Sequence, residues 1–237
     1  LKDHAHAAVA ISHFSILVPF VLGTGLALWL YPILSHVGVP FLSFALFLGA
    51  ALSVTAFPVL ARILADRKLD RTPMGVLALG CAAADDVTAW CLLALVVGVA
   101  KASVSGAIVT AGLAAAFIAA IFLVVRPVTV LLLPAFFALS GLRTEIGLLG
   151  SGLDWLICLA IVVVATVGKA GGTVLAARLA DLDWRSSLAL GAMMNTRGLM
   201  ALIVLDVGLK EGVITPTLYT MMVLMALATT LMTAPTL

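Results

Sequence analysis

The chain has 237 residues, of which 64% are hydrophobic and 10% charged, with a formal net charge of +2 and a mean hydropathy of +1.27. Soluble domains carry about a quarter charged residues, and apolar runs long enough to cross a bilayer recur along the whole length. A soluble enzyme, a nucleic-acid-binding module and a single-anchor protein are therefore excluded, and the composition is that of an all-α polytopic membrane protein. The first residues, Leu1-Lys2-Asp3-His4, include no initiator Met and no signal-peptide pattern, so the chain is expected to start in mid-protein. Cys81, Cys91 and Cys158 all fall inside apolar runs without a CxxC pair, and they read as small core residues.

In chain order, the first span is expected over about Ala7 to Leu34, with Trp29, Tyr31 and Pro32 at its interfacial end. After the turn Ser35 to Pro40, a second span over Phe41 to Ala65 contains Thr55-Ala56-Phe57-Pro58. A proline there removes a backbone donor and clashes with the preceding turn, so the helix should break. Such a break exposes backbone dipoles inside the membrane and is tolerated only where protein or a wet cavity receives them. The Asp66 to Arg71 cluster is then a solvated loop, expected to be cytoplasmic.

The span Thr72 to Gly98 carries Asp85 and Asp86 near its midpoint. At about 1.5 Å per residue they lie roughly 20 Å from the Thr72 end, close to the bilayer midplane. Intramembrane acids mark ion paths, proton relays or buried ion pairs. A fourth span over Gly106 to Val125 closes at Arg126-Pro127, and another apolar run leaves at once from Val128 toward Ser140 to Glu145. Two spans cannot reverse across so short a connection, so segments are expected to be missing between Pro127 and Val128.

Lys169 sits midway along the span Leu153 to Ala180, flanked by Gly168 and Gly172, whose spacing lets a neighbouring helix approach closely. The span Ser186 to Leu209 is interrupted by Met194-Asn195-Thr196-Arg197-Gly198, a second expected break, and the last span runs over about Val213 to Pro235. With the Arg67 cluster inside, eight Lys and Arg residues lie inside against three outside, and Lys169 and Arg197 remain in the membrane. That bias requires an even number of missing spans after Arg126. Asp206 is expected to be interfacial, the methionines of the second half to be adaptable packing, and His4, His6, His13 and His36 to lie at or near span ends.

The organisation is therefore three units: residues 1–100 with the first break and the acid pair, 101–152 as connecting spans, and 153–237 with Lys169, the second break and the final span. The first and last units start on opposite sides, and inverted repeats with paired interrupted helices are a transporter pattern. A carboxylate near the midplane can hold a proton or a cation but not both. One of Asp85 and Asp86 is the candidate shared site, with Thr55 and Asn195 as further ligands beside the breaks. Lys169 would serve one of the two acids as partner, and Arg197 would be a counter-charge for the broken helix ends. An intramembrane aspartyl protease needs its carboxylates on two facing helices, whereas these are adjacent, about 100° apart on one.

Four stretches in order, Phe57-Pro58-Val59-Leu60-Ala61-Arg62, Ala84-Asp85-Asp86-Val87-Thr88-Ala89-Trp90, Met194-Asn195-Thr196-Arg197-Gly198 and Met225-Ala226-Leu227-Ala228-Thr229-Thr230, resemble the monovalent cation:proton antiporter-2 family. The resemblance implies a sodium/proton antiporter-like fold with two crossed discontinuous helices, a homodimer in the cell membrane, and exchange of Na⁺ or K⁺ for H⁺ without a cofactor. It implies Asp86 as carrier and Asp85 as the partner of Lys169. A gated potassium efflux system or channel on the same core is the alternative.

Overall fold

A computed structural model of the chain describes residues 2–100 and 138–236. The expected span Gly106 to Val125, the Lys101 turn and the Pro127–Val128 junction lie outside the described residues. Helix α1 runs Lys2–Leu34, α2 Phe41–Ser53, α3 Phe57–Asp66 and α4 Pro73–Ala100. Helix α5 is the span Gly152–Leu179, and it is α-helical except for a π-helical turn at Val167–Gly171. Helix α6 runs Trp184–Met194, α7 Leu199–Lys210 and α8 Pro216–Thr236. Five helical stretches among the described residues are long and apolar enough to cross a membrane: Ala10–Leu34, Phe41–Asp66, Pro73–Val96, Gly152–Leu179 and Pro216–Thr233.

Local chemistry explains most boundaries. Ser151 and Asp154 form a capping box at the start of α5, satisfying two of its free N–H groups. The Asp183 side chain accepts from Ser186 N–H to start α6, and hydrogen bonding from the Ser186 hydroxyl, and next from this N–H, holds the Asp183 carboxyl below the usual carboxylate range. Both expected breaks are present. The first comes slightly before Pro58: Val54, Thr55 and Ala56 leave helical geometry, and Pro58 sits in the first turn of α3, where a missing N–H is harmless. Proline thus starts the second half-helix rather than kinking a continuous one. Asn195 to Gly198 separate α6 from α7, and the two breaks touch through a bond from Ala56 N–H to the Thr196 carbonyl, 3.0 Å.

Apolar packing falls into two clusters. One joins the Ala27 to Leu34 end of α1 to α2, the Ala89 to Val96 end of α4, the first half of α5, α7 and α8. The other joins Ile11 of α1 to α3, the first half of α4, the last turns of α5, and α6. Between them lies a layer of buried polar side chains that includes Ser12, Ser15, Ser53, Thr55, Asp85, Lys169 and Arg197. Cys81 and Cys158 are buried as expected, whereas Cys91 is exposed, because it lies on the outer face of α4 next to exposed Trp90.

The π turn in α5 had no signal in the sequence, yet it brings Lys169 inward. It packs against α1 through glycines: a Cβ on Gly168 would lie 3.0 Å from Pro19 Cα, and one on Gly172 would lie 2.8 Å from Val18 Cβ. Nothing lies within 4 Å of a Cβ on Gly171. Gly172→Leu should accordingly destabilise the protein by about 1–3 kcal/mol, the usual penalty of overpacking, while Gly171→Leu is tolerated. Thermal unfolding of the two variants in detergent checks the contrast.

Candidate functional site

Asp85 is fully buried, and four donors converge on its carboxylate. Ser12 Oγ donates to Oδ1 at 2.6 Å. Ser15 Oγ donates to Oδ2 at 2.8 Å, Thr55 Oγ1 to Oδ2 at 2.7 Å, and Lys169 Nζ to Oδ2 at 2.8 Å. An ionised carboxylate offers about four acceptor positions, and here four contacts meet it, three at Oδ2 and one at Oδ1. Lys169, also fully buried, spends its other donors on the Ser53 carbonyl at 2.6 Å and on Ser15 Oγ at 3.4 Å. Two buried charges are expensive alone, and each is tolerated because the other and its hydroxyl partners replace the lost water.

Asp86 has a different environment. It is half-buried, its Oδ1 is buried without a hydrogen-bond partner, and the Phe57 backbone N–H at the start of α3 lies beside it. A carboxylate there faces the positive end of a half-helix. Adjacent residues on one helix point about 100° apart. Asp85 therefore turns into the α1–α5 layer while Asp86 turns toward the first break.

Arg197 is buried and serves the C-terminal end of α2. Nη1 donates to the carbonyls of Ala51 at 3.2 Å and Val54 at 3.3 Å, and Nη2 donates to that of Leu52 at 2.6 Å and of Ala165 at 3.5 Å. Together with Lys169 on the Ser53 carbonyl, two cations neutralise the carbonyls that the break leaves free. Thr230 braces the backbone from α8, with its Oγ1 accepting from Arg197 N–H at 3.0 Å.

Of the site residues expected from the sequence, Asp85, Lys169 and Thr55 come together, and Asp86 and Arg197 flank them. Thr55 serves Asp85, however, rather than Asp86. Asn195 lies elsewhere: it lines a cavity of about 180 Å³ with Thr166, Thr233 and Thr236, and its Oδ1 has no partner. None of the hydrogen bonds at Asp85 reaches it. The reason is that Asn195 closes α6 as its C-cap, on the α5–α8 side, before the chain turns toward α2 at Arg197. Asp206 is more than interfacial, since it pairs with Arg143 and, at 2.6 Å, with Lys210.

Ser12, Ser15 and Ser53 were missed by sequence reasoning. The available signal was the three-residue spacing of Ser12 and Ser15, which places them on one face of an otherwise apolar run. No group of three or more His, Cys, Asp or Glu residues that could hold a metal occurs among the described residues.

Breaking the Asp85–Lys169 pair from one side leaves a buried charge uncompensated. Lys169→Met should lower stability by about 3–5 kcal/mol, and Asp85→Asn added to it should recover part of the loss. A double-mutant cycle of thermal unfolding measures the coupling.

The comparisons agree on one family. The family model described as sodium/hydrogen exchanger, transmembrane, matches residues 1–133 and 125–237. The chain is 36% identical to the Na(+)/H(+) antiporter NhaS4 of Synechocystis, over 99% of the chain and 75% of that protein. It is 33% identical to cation/H(+) antiporter 17 of Arabidopsis thaliana and 26% identical to K(+)/H(+) antiporter 1 of Saccharomyces cerevisiae, in each case over 99% of the chain. The chain spans 37% and 36% of those two proteins. The match to NhaS4 extends over 306 residues, 69 more than the 237 of the chain.

Proposed function

The chain belongs to the sodium/hydrogen exchanger transmembrane family, and from that premise we propose that it is a secondary active antiporter exchanging a monovalent cation, Na⁺ or K⁺, for H⁺. The relatives' names divide between Na⁺/H⁺ and K⁺/H⁺ exchange, and the choice of cation stays open between these two. The shared site is Asp86, reached alternately from the two sides of the membrane. What carries this reading is the inequality of the two acids: Asp85 has four protein donors, while Asp86 keeps a buried oxygen with none.

Coupling follows from competition. A carboxylate in a partly dry site binds a proton covalently or a cation electrostatically, and occupancy by one excludes the other. In the proposed cycle, a proton arriving at Asp86 releases the cation on one side. The neutral side chain returns, and the proton leaves where the cation is abundant. Asp85 and Lys169 travel as a neutral pair throughout, and Arg197 keeps the free carbonyls of α2 satisfied while the breaks move.

Residues 7–100 and 153–237 are read as inverted repeats whose interrupted helices cross. The bond between Ala56 and Thr196 at the two breaks supports that reading. The longer match of NhaS4 and the division of the family match at residues 125–133 support an absence of spans near Pro127 and Val128. The 69 residues suffice for a pair of spans of about 20 residues with their loops. A homodimer in the cell membrane, with the Asp66 to Arg71 loop in the cytoplasm, completes the proposal.

In proteoliposomes, a gradient of Na⁺ or K⁺ should drive proton flux through the wild type. Asp86→Asn should reduce it to the level of protein-free vesicles without lowering thermal stability, since Asp86 holds no ion pair. Wild-type flux in Asp86→Asn contradicts the assignment. Cation flux without proton counter-flow in the wild type favours a potassium efflux channel.

A further inference from the structure

We propose that Thr230 of α8 is a positioning residue: through the Thr196–Arg197 peptide it fixes the first break from Thr55 to Phe57, and with it the surroundings of the cation site. This rests on the reading of Asp86 as the exchange site and names a residue of the last helix on which that site depends.

Thr229 and Thr230 belong to one of the four stretches that carry the family resemblance, yet the hydrogen bonds of both side chains go to backbone groups alone. Thr229 is satisfied inside its own helix, by the carbonyls of Met225 at 2.9 Å and Ala226 at 3.1 Å. Thr230 does more. Its hydroxyl oxygen accepts from Arg197 N–H at 3.0 Å, and its single proton faces the carbonyls of Arg197 at 2.6 Å and Ala226 at 2.8 Å.

Arg197 N–H and the Thr196 carbonyl are opposite edges of one planar trans peptide. Thr230 holds the first edge, and the second accepts from Ala56 N–H at 3.0 Å. Turning the peptide would break both bonds at once. Thr196 and Ala56 are fully buried, so a bond left unmade there costs the desolvation of its partners. Close packing keeps the two breaks in register: a Cβ on Gly198 would lie 2.6 Å from Val59 Cγ2 and 3.1 Å from Ala56 Cβ.

Three consecutive residues of the first break are thereby tied. Thr55 Oγ1 donates to Asp85 at 2.7 Å, Ala56 N–H donates to Thr196, and Phe57 N–H lies beside Asp86. The middle tether is the one that the second break supplies, and Thr230 orients it. Without that tether the backbone beside Asp86 is no longer preorganised, and a cation binding there has to order it.

The test uses the full chain, purified in detergent and reconstituted, with Na⁺ and K⁺ as probes. Wild type, Thr230→Val, Thr230→Ala, Thr230→Ser and Thr229→Val are compared. Amide hydrogen exchange of Val54 to Phe57 reports the tether, while cation-dependent thermal stabilisation and cation-driven proton flux separate the half-saturating concentration from the maximal rate. Thr230→Val should speed exchange at Ala56 N–H by about tenfold and raise the half-saturating cation concentration by about the same factor, the size expected of one hydrogen bond. Maximal flux should change less. Thr230→Ala should do the same with a smaller side chain, should valine disturb the fold. Thr230→Ser, which keeps the hydroxyl, should restore both values, and Thr229→Val, which removes a bond internal to α8, should leave both unchanged. If the Thr230 variants lose stability without faster exchange at Ala56, or exchange faster with unchanged cation affinity, or if Thr230→Ser restores neither, the inference is wrong. If the wild type shows neither cation-dependent stabilisation nor flux, it is the exchange reading that fails, and the hydrogen-exchange comparison still decides whether Thr230 holds the first break.

Discussion

A lysine and an aspartate, both stripped of water, face each other at 2.8 Å between two apolar clusters, and the arrangement of the surrounding helices depends on them. Neither charge could stay buried alone. Each helix that supplies a polar partner is held in register by this requirement: α1 through Ser12 and Ser15, the first break through Ser53 and Thr55, α4 through Asp85, and α5 through Lys169. Apolar packing alone fixes helices in lipid poorly, because lipid tails are as apolar as leucine. A polar centre with four defined donors admits far fewer alternatives.

The two breaks share that logic. Interrupting α2 frees carbonyls in a medium that cannot solvate them. Arg197 and Lys169 take them up, one from each side. The chain then re-enters a helix at α3, whose first N–H, that of Phe57, lies beside Asp86. The acid pair is thus divided by the break itself: the acid on the α1–α5 side is satisfied by side chains, and the acid on the α3 side has a helix end beside it and an oxygen to spare. Two residues with one chemistry acquire two environments because helical geometry turns them to different neighbours.

Much of this was legible in the residues. An acid pair halfway along an apolar span, one lysine midway along another, and a proline and an asparagine-threonine-arginine-glycine run inside two more are costly features, and their rarity in lipid is the signal. The pairing of Asp85 with Lys169 followed from that rarity and the family resemblance together. The serines were illegible for the opposite reason. Hydroxyls are common in membrane helices and usually bond to their own backbone, as Thr24, Thr88 and Thr166 do, so Ser12 and Ser15 did not stand out. Asn195 misled because it lies two residues from Arg197, yet the helix end between them turns its side chain into a different cavity. The π turn at Lys169 had no composition of its own, and only the packing of Gly168 and Gly172 against α1 gives it a reason.

The central claim is that one carboxylate holds either a proton or a cation. Proton release on cation binding tests it most directly, measured in lightly buffered solution on the purified protein near neutral pH. The account predicts that Na⁺ or K⁺ binding at saturation releases the fraction of a proton that Asp86 carries before binding, rising toward one per chain as the pH is lowered, as competition for a single site requires. It also predicts that Asp86→Asn abolishes both binding and release. Saturable cation binding without proton release, or release that persists in Asp86→Asn, would contradict it.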